Sequence, residues 1–347
     1  MDVAAPAEDT HAFAFTGTTS EYFRIWVVSL ALSLFTLGVY SAWGKVRKRR
    51  YLYHHTRVAG SGFDFRASPL AILRGRVIAV VLLGGIAFAR HGLWELQFGF
   101  IALLILLSPW IAVAAARFNA RNTYWRNVPF DFDGRLWPAV KVFLGGGALA
   151  VLSLGLAYPW FRALRARFIV GGHRYGATPF SATIGTGEFV LAYLLTGVGF
   201  VACVGVFAGI GAAVAIGAGP KGASATAGFV AMAGTALFYA AYIALYAFMR
   251  ARTQNIVANG THVGPLHLAS RLSASRLAWL YVSNIVAVLA TLGLATPWAT
   301  VRLARYRAAT LALMSPVPLA AMPAASAPAS SATASEMSDL FDVDVGL

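Results

Sequence analysis

The chain has 347 residues and a formal net charge of +15, yet only 12% of its residues are charged and 59% are hydrophobic. Ordinary soluble domains carry about a quarter charged residues, so this balance, with its long uncharged apolar runs, excludes that class and excludes a disordered chain. The single cysteine, Cys203, excludes an intrachain disulfide and a cysteine-rich metal site.

Residues 1–12 read as a flexible N-terminus; residues 1–24 have no basic start and no small-residue cleavage site stands out after the first apolar run, so no removable signal peptide is expected. The alternation Phe13-Ala14-Phe15 then predicts a short extended segment with one face buried. Charge-free windows follow at 25–44, 96–116, 142–161, 189–220, 222–249 and 277–301. Each is long enough for the roughly 20 helical residues that cross a bilayer core. A shorter window, 77–89, spans as 71–94 if Arg74, Arg76 and Arg90 snorkel toward the headgroups. From 315 to 347 the composition turns to Ala, Pro and Ser with an acidic end, which predicts a disordered tail.

The strongest signal is repetition. Three windows end alike, in Thr36-Leu37-Gly38, Ser153-Leu154-Gly155 and Thr291-Leu292-Gly293, followed by Trp43, Trp160 and Trp298. Trp110, after Ser108-Pro109, is a looser copy. In all four an Arg follows the Trp by seven positions and an aromatic by eight: Arg50-Tyr51, Arg117-Phe118, Arg167-Phe168 and Arg305-Tyr306. Extended segments recur as Phe63-Asp64-Phe65 and Phe130-Asp131-Phe132, with weaker echoes at Phe180 and Leu266-His267-Leu268. Gly38, Gly155 and Gly293 suit a kink or a close approach, and Pro109, Pro159 and Pro297 a kink or a helix end. A Trp with an Arg two turns later reads as an interfacial belt that anchors helices; the sharper reading is a clamp on lipid headgroups or on a substrate.

These residues carry a family resemblance. Phe13-Ala14-Phe15-Thr16-Gly17, Glu21-Tyr22-Phe23, Thr36-Leu37-Gly38-Val39-Tyr40, the run from Trp43 to Tyr51, and Thr56 resemble the YjgN-like family of bacterial inner-membrane proteins, whose function is unknown. The later copies match through their Trp and Arg-aromatic ends, so the likeness covers roughly residues 13–310. It implies an inner-membrane location and no assigned activity.

The fold expected is therefore an all-α polytopic membrane protein of about seven transmembrane helices, joined by short extended interfacial segments. Its membrane domain, 13–314, divides into repeat A (about 13–129), repeat B (130–265) and a final helix unit (266–314). The order of charge around the first span places the N-terminus outside and the C-terminus in the cytoplasm. The arginines of 162–174 then fall outside, against the positive-inside tendency. A 3+3 inverted repeat accounts for that, with a site at the repeat interface. The alternative is that the Thr-Leu-Gly helices are re-entrant or interfacial and every basic cluster lies on the cytoplasmic face.

Candidate site residues are few. Glu188 is a possible coupling carboxylate or merely a helix-start residue, and Tyr239, Tyr242 and Tyr246 share one helix face that could line a cavity. Gly205 and Gly209 have the spacing of close helix packing. The histidines have no ligand spacing, and neither a nucleophile elbow nor a phosphate-binding glycine motif occurs. No metal, cofactor, enzymatic activity or nucleic-acid partner is expected. The partner implied is the bilayer, with anionic lipid headgroups at the basic loops. The function expected is a small-solute transporter or channel using the repeat interface; the alternative is a non-transporting envelope protein that binds anionic lipid or scaffolds membrane partners.

Overall fold

The computed structural model describes residues 9–89, 94–218 and 225–316. It contains a sheet, so the all-α expectation is corrected. The sheet begins with β1 (Asp9–Ala12) and β2 (Ala14–Phe15), two halves of one extended segment. Four hairpins follow: β3 (Thr56–Val58) with β4 (Ser61–Phe65), β5 (Thr123–Trp125) with β6 (Val128–Phe132), β7 (His173–Tyr175) with β8 (Thr178–Ala182), and β9 (Thr261–Val263) with β10 (Leu266–Ser270). The last strand is β11 (Leu311–Ser315). Every strand pairs antiparallel with its neighbours, in the order β1-β11-β10-β9-β8-β7-β6-β5-β4-β3-β2. Because β1 pairs β11 and β2 pairs β3, residues 9–15 join the two edges and the sheet closes on itself. Closure leaves no strand edge unpaired.

Tight turns set the hairpins. Ala59-Gly60 and Arg126-Asn127 both have positive φ, the pattern of a type I′ turn. At the other two corners Gly176 and Gly264 alone are positive, before Ala177 and Pro265, as type II′ requires. Both types match the right-handed twist of paired strands. The fifth corner has no turn: Asp9 of β1 lies opposite Ser315 of β11 there. The described ends of the chain therefore lie side by side. Residues 9–12 belong to this sheet rather than to a flexible N-terminus; the tail beyond residue 316 lies outside the described residues.

Between strands the chain makes five helical hairpins. These are α1 (Thr19–Phe35) with α2 (Ser41–His55); α3 (Pro69–Ala89) with α4 (Trp94–Arg121); an arm of α5 (Leu136–Val140), a π-helical turn (Lys141–Gly145) and α6 (Gly146–Leu152), with α7 (Tyr158–Gly172); α8 (Thr186–Ala218) with α9 (Ala225–Asn259); and α10 (Ala274–Ala290) with α11 (Thr296–Ala309). Each unit is strand, helix, helix, strand, and all five run in the same sense. The repeat is thus fivefold and direct. The second helix of each unit packs on the first helix of the next, and α11 packs on α1, which closes the ring of helices.

The seven expected spans are likewise corrected. Windows 25–44, 142–161 and 277–301 each fold back in the middle. Their Leu-Gly pairs adopt positive φ: Leu37 48° and Gly38 91°, Leu154 52° and Gly155 89°, Leu292 49° and Gly293 94°. The glycine N–H reaches back five residues to the carbonyls of Ser33, Ala150 and Val288, a Schellman-type helix end. The side-chain oxygens of Thr36, Ser153 and Thr291 accept the N–H of the fourth residue on. Pro159 and Pro297 open the returning helices, where no N–H is needed. Among the described residues four helices are long and apolar enough to cross a membrane: α3, α4, α8 and α9, the arms of the second and fourth hairpins.

Five apolar clusters hold the ring together. One contains a layer of ten side chains, one from each position around the barrel: Phe13, Val58, Phe63, Trp125, Phe130, Tyr175, Phe180, Val263, Leu268 and Leu313. Paired strands bring them face to face, as in Phe63 opposite Trp125 and Phe130 opposite Tyr175. The rings interlock, with Phe63 and Phe130 6.4 Å apart and Phe130 and Phe180 6.2 Å apart. The other four clusters sit at seams between successive units, for example Val46, Phe65, Ala71 and Phe118 between the first and second.

Candidate functional site

The repeated arginine is a clasp between units. Arg50 Nε donates to the Phe65 carbonyl at 3.1 Å. Arg117 donates to the carbonyls of Phe132 and Gly134, each at 3.3 Å. Arg167 donates to the Ile184 carbonyl at 2.7 Å and to Thr186 Oγ1 at 2.6 Å. Arg305 donates to the Gly17 carbonyl at 3.3 Å and so closes the ring. Each acceptor lies in the segment that leads into the helices of the following unit. The fourth unit has no arginine here. Asn255 stands six residues before β9, as the arginines stand before their strands, and bonds both N–H and C=O of Leu272 at 2.9 and 3.0 Å.

The aromatic beside the arginine ties its own unit. Tyr51 Oη accepts the Thr18 N–H at 2.8 Å and donates to Glu21 Oε2 at 2.8 Å; Tyr306 Oη accepts the Ser273 N–H at 2.9 Å. Phe118 and Phe168 do the same work by packing in seam clusters. Successive residues on a helix point in different directions, so an Arg-aromatic pair can hold its own unit with one side chain and its neighbour with the other. This replaces the expectation that these arginines face lipid. Trp110, Trp160 and Trp298 do remain half exposed on the helical surface, while Trp43 packs against the seam cluster of Phe65.

Other expected site residues lie apart. Tyr239, Tyr242 and Tyr246 are exposed on the outer face of α9 rather than lining a cavity within the chain, although Tyr246 meets Tyr281 across 5.8 Å. Glu188 is exposed in the first turn of α8, where a carboxylate suits the helix dipole. Gly205 and Gly209 face open space, so their spacing is not used for packing among the described residues. A direct fivefold repeat has no interface of two inverted halves, and the barrel where a path could run is filled by its apolar layer.

The arrangement instead sorts apolar tips from cations. The three short hairpins end in bare side chains: Phe35 and Leu37 are 87% and 96% exposed, Leu154 and Leu156 94% and 87%, and Leu292 95%. Toward the barrel the first cation of each returning helix comes seven residues after Gly38 (Lys45), seven after Gly155 (Arg162) and nine after Gly293 (Arg302). At 1.5 Å per residue these lie about 10–14 Å from the tips. The long hairpins carry Arg74, Arg76, Arg117, Arg121, Arg250 and Arg252 at the same barrel-proximal level. Exposed cations on this rim include Arg24, Arg47, Lys141, Arg252 and Arg276.

Below the rim, carboxylates on the outer face of the sheet are paired with arginine. Asp131 Oδ1 accepts from Arg121 Nε at 2.7 Å and from the Phe132 N–H at 2.8 Å. Burial pushes this carboxyl up, but those hydrogen bonds and the charges of Arg121 and Arg117 outweigh it and hold the group below its usual value. His173 is buried, and desolvation pushes its ring below the usual histidine range against the Ile169 carbonyl, 2.7 Å from Nδ1, and the charge of Asp131. Among the described residues no cluster of His, Cys, Asp or Glu could hold a metal ion.

Residues 10–340 match the family described as "Bacterial protein of unknown function (DUF898)". Among curated proteins the chain is similar to the inner membrane protein YjgN of Escherichia coli K12, 41% identical over 125 residues that cover 36% of this chain and 31% of the relative. It is also similar to YjgN of Salmonella typhimurium LT2, 28% identical over 132 residues, 38% of this chain and 33% of the relative. The matched stretches thus span about a third of the length of these relatives. No solved structure matches. With its apolar helices and a family match along nearly all of its length, the chain is a membrane protein that belongs to this YjgN-like family of unknown function.

Proposed function

We propose that the protein is a membrane-seated platform of the bacterial inner membrane that engages anionic lipid at a basic rim. Hairpins α3–α4 and α8–α9 cross the bilayer. The three short hairpins dip into one leaflet, and the barrel stands in the cytoplasm with both described chain ends. The observation that carries this reading is the distance from bare apolar tip to first cation, about 10–14 Å, close to half of a roughly 30 Å hydrocarbon core. Tips at that depth leave the cations at headgroup level. The positive-inside tendency then assigns the rim and the barrel to the cytoplasmic side. The relatives' name, inner membrane protein, favours the same membrane. The apolar layer that fills the barrel gives this reading its advantage over a small-solute transporter or channel.

The test is lipid preference. A Lys or Arg near an anionic surface contributes about 1 kcal/mol, so neutralising one exposed cation on each short hairpin removes about 3 kcal/mol, roughly a hundredfold in relative affinity. The variant is Arg47→Gln, Lys141→Gln, Arg276→Gln. Relative association of brominated phosphatidylglycerol over phosphatidylcholine is read from quenching of tryptophan fluorescence. An unchanged preference in the triple variant would sink the proposal.

A further inference from the structure

The five helical hairpins leave the barrel on the side opposite its tight strand turns, but they end at two levels. The arms of the short hairpins have 14 to 17 residues, about 21–26 Å of helix. The long arms α3, α4, α8 and α9 have 21, 28, 33 and 35 residues, about 32–53 Å. Among the described residues, ten arms thus stand together near the rim, and only the four long ones continue past the short tips. The fourth hairpin stands clear of the rest: no described residue of α8 after Ala192, or of α9 before Ala247, is buried. The short tips are equally bare, with Phe35, Leu152 and Leu289 87%, 81% and 70% exposed.

We propose that the protein acts as a wedge that favours curved bilayer, convex on the barrel side, with lipid tails of the far leaflet closing over the short tips. The wedge needs the hairpin depth of the lipid-platform reading, but none of its cations. A helix with its side chains is about 10–12 Å across, about 80–110 Å² in section. The six short arms therefore add about 500–650 Å² to the leaflet next to the barrel and nothing to the other. On a flat membrane the far leaflet must stretch to cover that area. Bending that puts the near leaflet on the convex side gives it the larger surface and relieves the stretch. The free energy of the protein in the membrane then depends on curvature and on its sign, as the binding of shallow apolar insertions does. Leu37, Leu154 and Leu292 mark the depth of the wedge. Each sits at a tip with positive φ, 48°, 52° and 49°, a conformation that Asp adopts more readily than Leu. An Asp there keeps the turn but resists the bilayer centre.

The experiment uses the full chain with a fluorophore at its N-terminal end, reconstituted in giant vesicles of phosphatidylcholine alone. Narrow membrane tubes are drawn from the vesicles. The protein diffuses between vesicle and tube, so its density ratio, normalised to a lipid dye, reports preference at equilibrium. An impermeant quencher added outside separates molecules with the barrel outward, on the convex face of the tube, from those with it inward. Barrel-outward molecules should be at least about twofold enriched on the tube, and barrel-inward molecules depleted. In the variant Leu37→Asp, Leu154→Asp, Leu292→Asp the contrast should fall toward unity, with thermal unfolding in detergent unchanged. Equal densities on tube and vesicle, equal sorting of the two orientations, or a folded tip variant that sorts like the parent would overturn the wedge. The orientation contrast needs no variant, so it decides the matter if the tip variant fails to fold. Phosphatidylcholine carries no net charge, so the cations of the rim play no part in this result. The lipid-platform reading fails separately, if the Arg47, Lys141 and Arg276 triple variant keeps its anionic-lipid preference.

Discussion

Replacing Arg167 with Met should loosen the third unit from the fourth, and by an amount that separates a clasp from a lipid anchor. Methionine keeps much of the side chain's length and apolar packing but removes both hydrogen bonds, to the Ile184 carbonyl at 2.7 Å and to Thr186 Oγ1 at 2.6 Å. Bonds from a charged donor contribute about 1.5–3 kcal/mol each, less where solvent reaches them, and the deserted carbonyl of Ile184 loses its partner in a residue only 3% exposed. A net loss of about 3 kcal/mol is expected. With an unfolding entropy of about 2.1 cal/mol/K per residue, that lowers the melting temperature by about 4 °C in a chain of this size. The assay is thermal unfolding in a neutral detergent without anionic lipid, with Arg47→Met, an exposed rim cation, measured alongside. An anchor acting on lipid phosphate would cost nothing there. A shift for Arg167→Met no larger than that for Arg47→Met would refute the clasp.

Three further outcomes follow from the same geometry. Gly155→Val places a β-branched residue at φ 89° in a hairpin turn, and should cost about 1–2 kcal/mol, near 2 °C in the melting temperature, without changing the helix content seen by circular dichroism. Asp131 has its carboxyl depressed in the folded state, so the stability it adds is present above about pH 4, its unfolded value, and is lost as pH falls through the folded one. A pH series should accordingly show Asp131→Asn less stable than the parent at pH 7, with the two curves converging below about pH 4. Because Asp9 lies opposite Ser315 at the corner that lacks a turn, a permuted chain that links these ends through a short loop and opens between Arg126 and Asn127 should fold and melt as one cooperative unit. Failure of that permutant, with the original order stable in the same detergent, would contradict a closed sheet.

Much of the repeat was legible in the sequence, because the clasp fixes spacing. An arginine that must reach the next unit's carbonyl, and an aromatic that must reach its own unit's first helix, cannot drift by one residue, so Arg50-Tyr51, Arg117-Phe118, Arg167-Phe168 and Arg305-Tyr306 stand out at constant distance from Trp. The same logic hid the fourth copy: Asn255 meets the requirement from a different side chain, and with no Trp before it the unit does not announce itself. The short strands were equally hard to read. β3, β5, β7 and β9 have three residues each, too few for alternation to register, and their partners look like isolated aromatic pairs. What makes them strands is the closed ring, in which each is paired on both sides.

The misread helices carry the functional argument. Hydropathy measures how apolar a window is, not whether it turns, and the Leu-Gly turns sit inside uninterrupted apolar windows. A soluble protein would bury such turns or flank them with polar residues; here Leu37, Leu154 and Leu292 occupy a left-handed conformation that is unfavourable for a branched side chain and stand almost wholly bare. Apolar tips of that kind lose least where hydrocarbon meets them. A hairpin long enough to cross has no need of a tight apolar turn, and α3–α4 and α8–α9 have none among their described residues. On the lipid-platform proposal the two hairpin lengths divide the work: the long pairs would fix the protein across the bilayer, while the three short ones would set the depth at which the rim of cations meets the headgroups. Lengthening a short hairpin by one helical turn in each arm would push its tip about 5 Å deeper or lift its cations off the headgroups by the same distance. If the rim binds anionic lipid at a set depth, that insertion in α6 and α7 should weaken the phosphatidylglycerol preference while leaving the melting temperature in detergent unchanged.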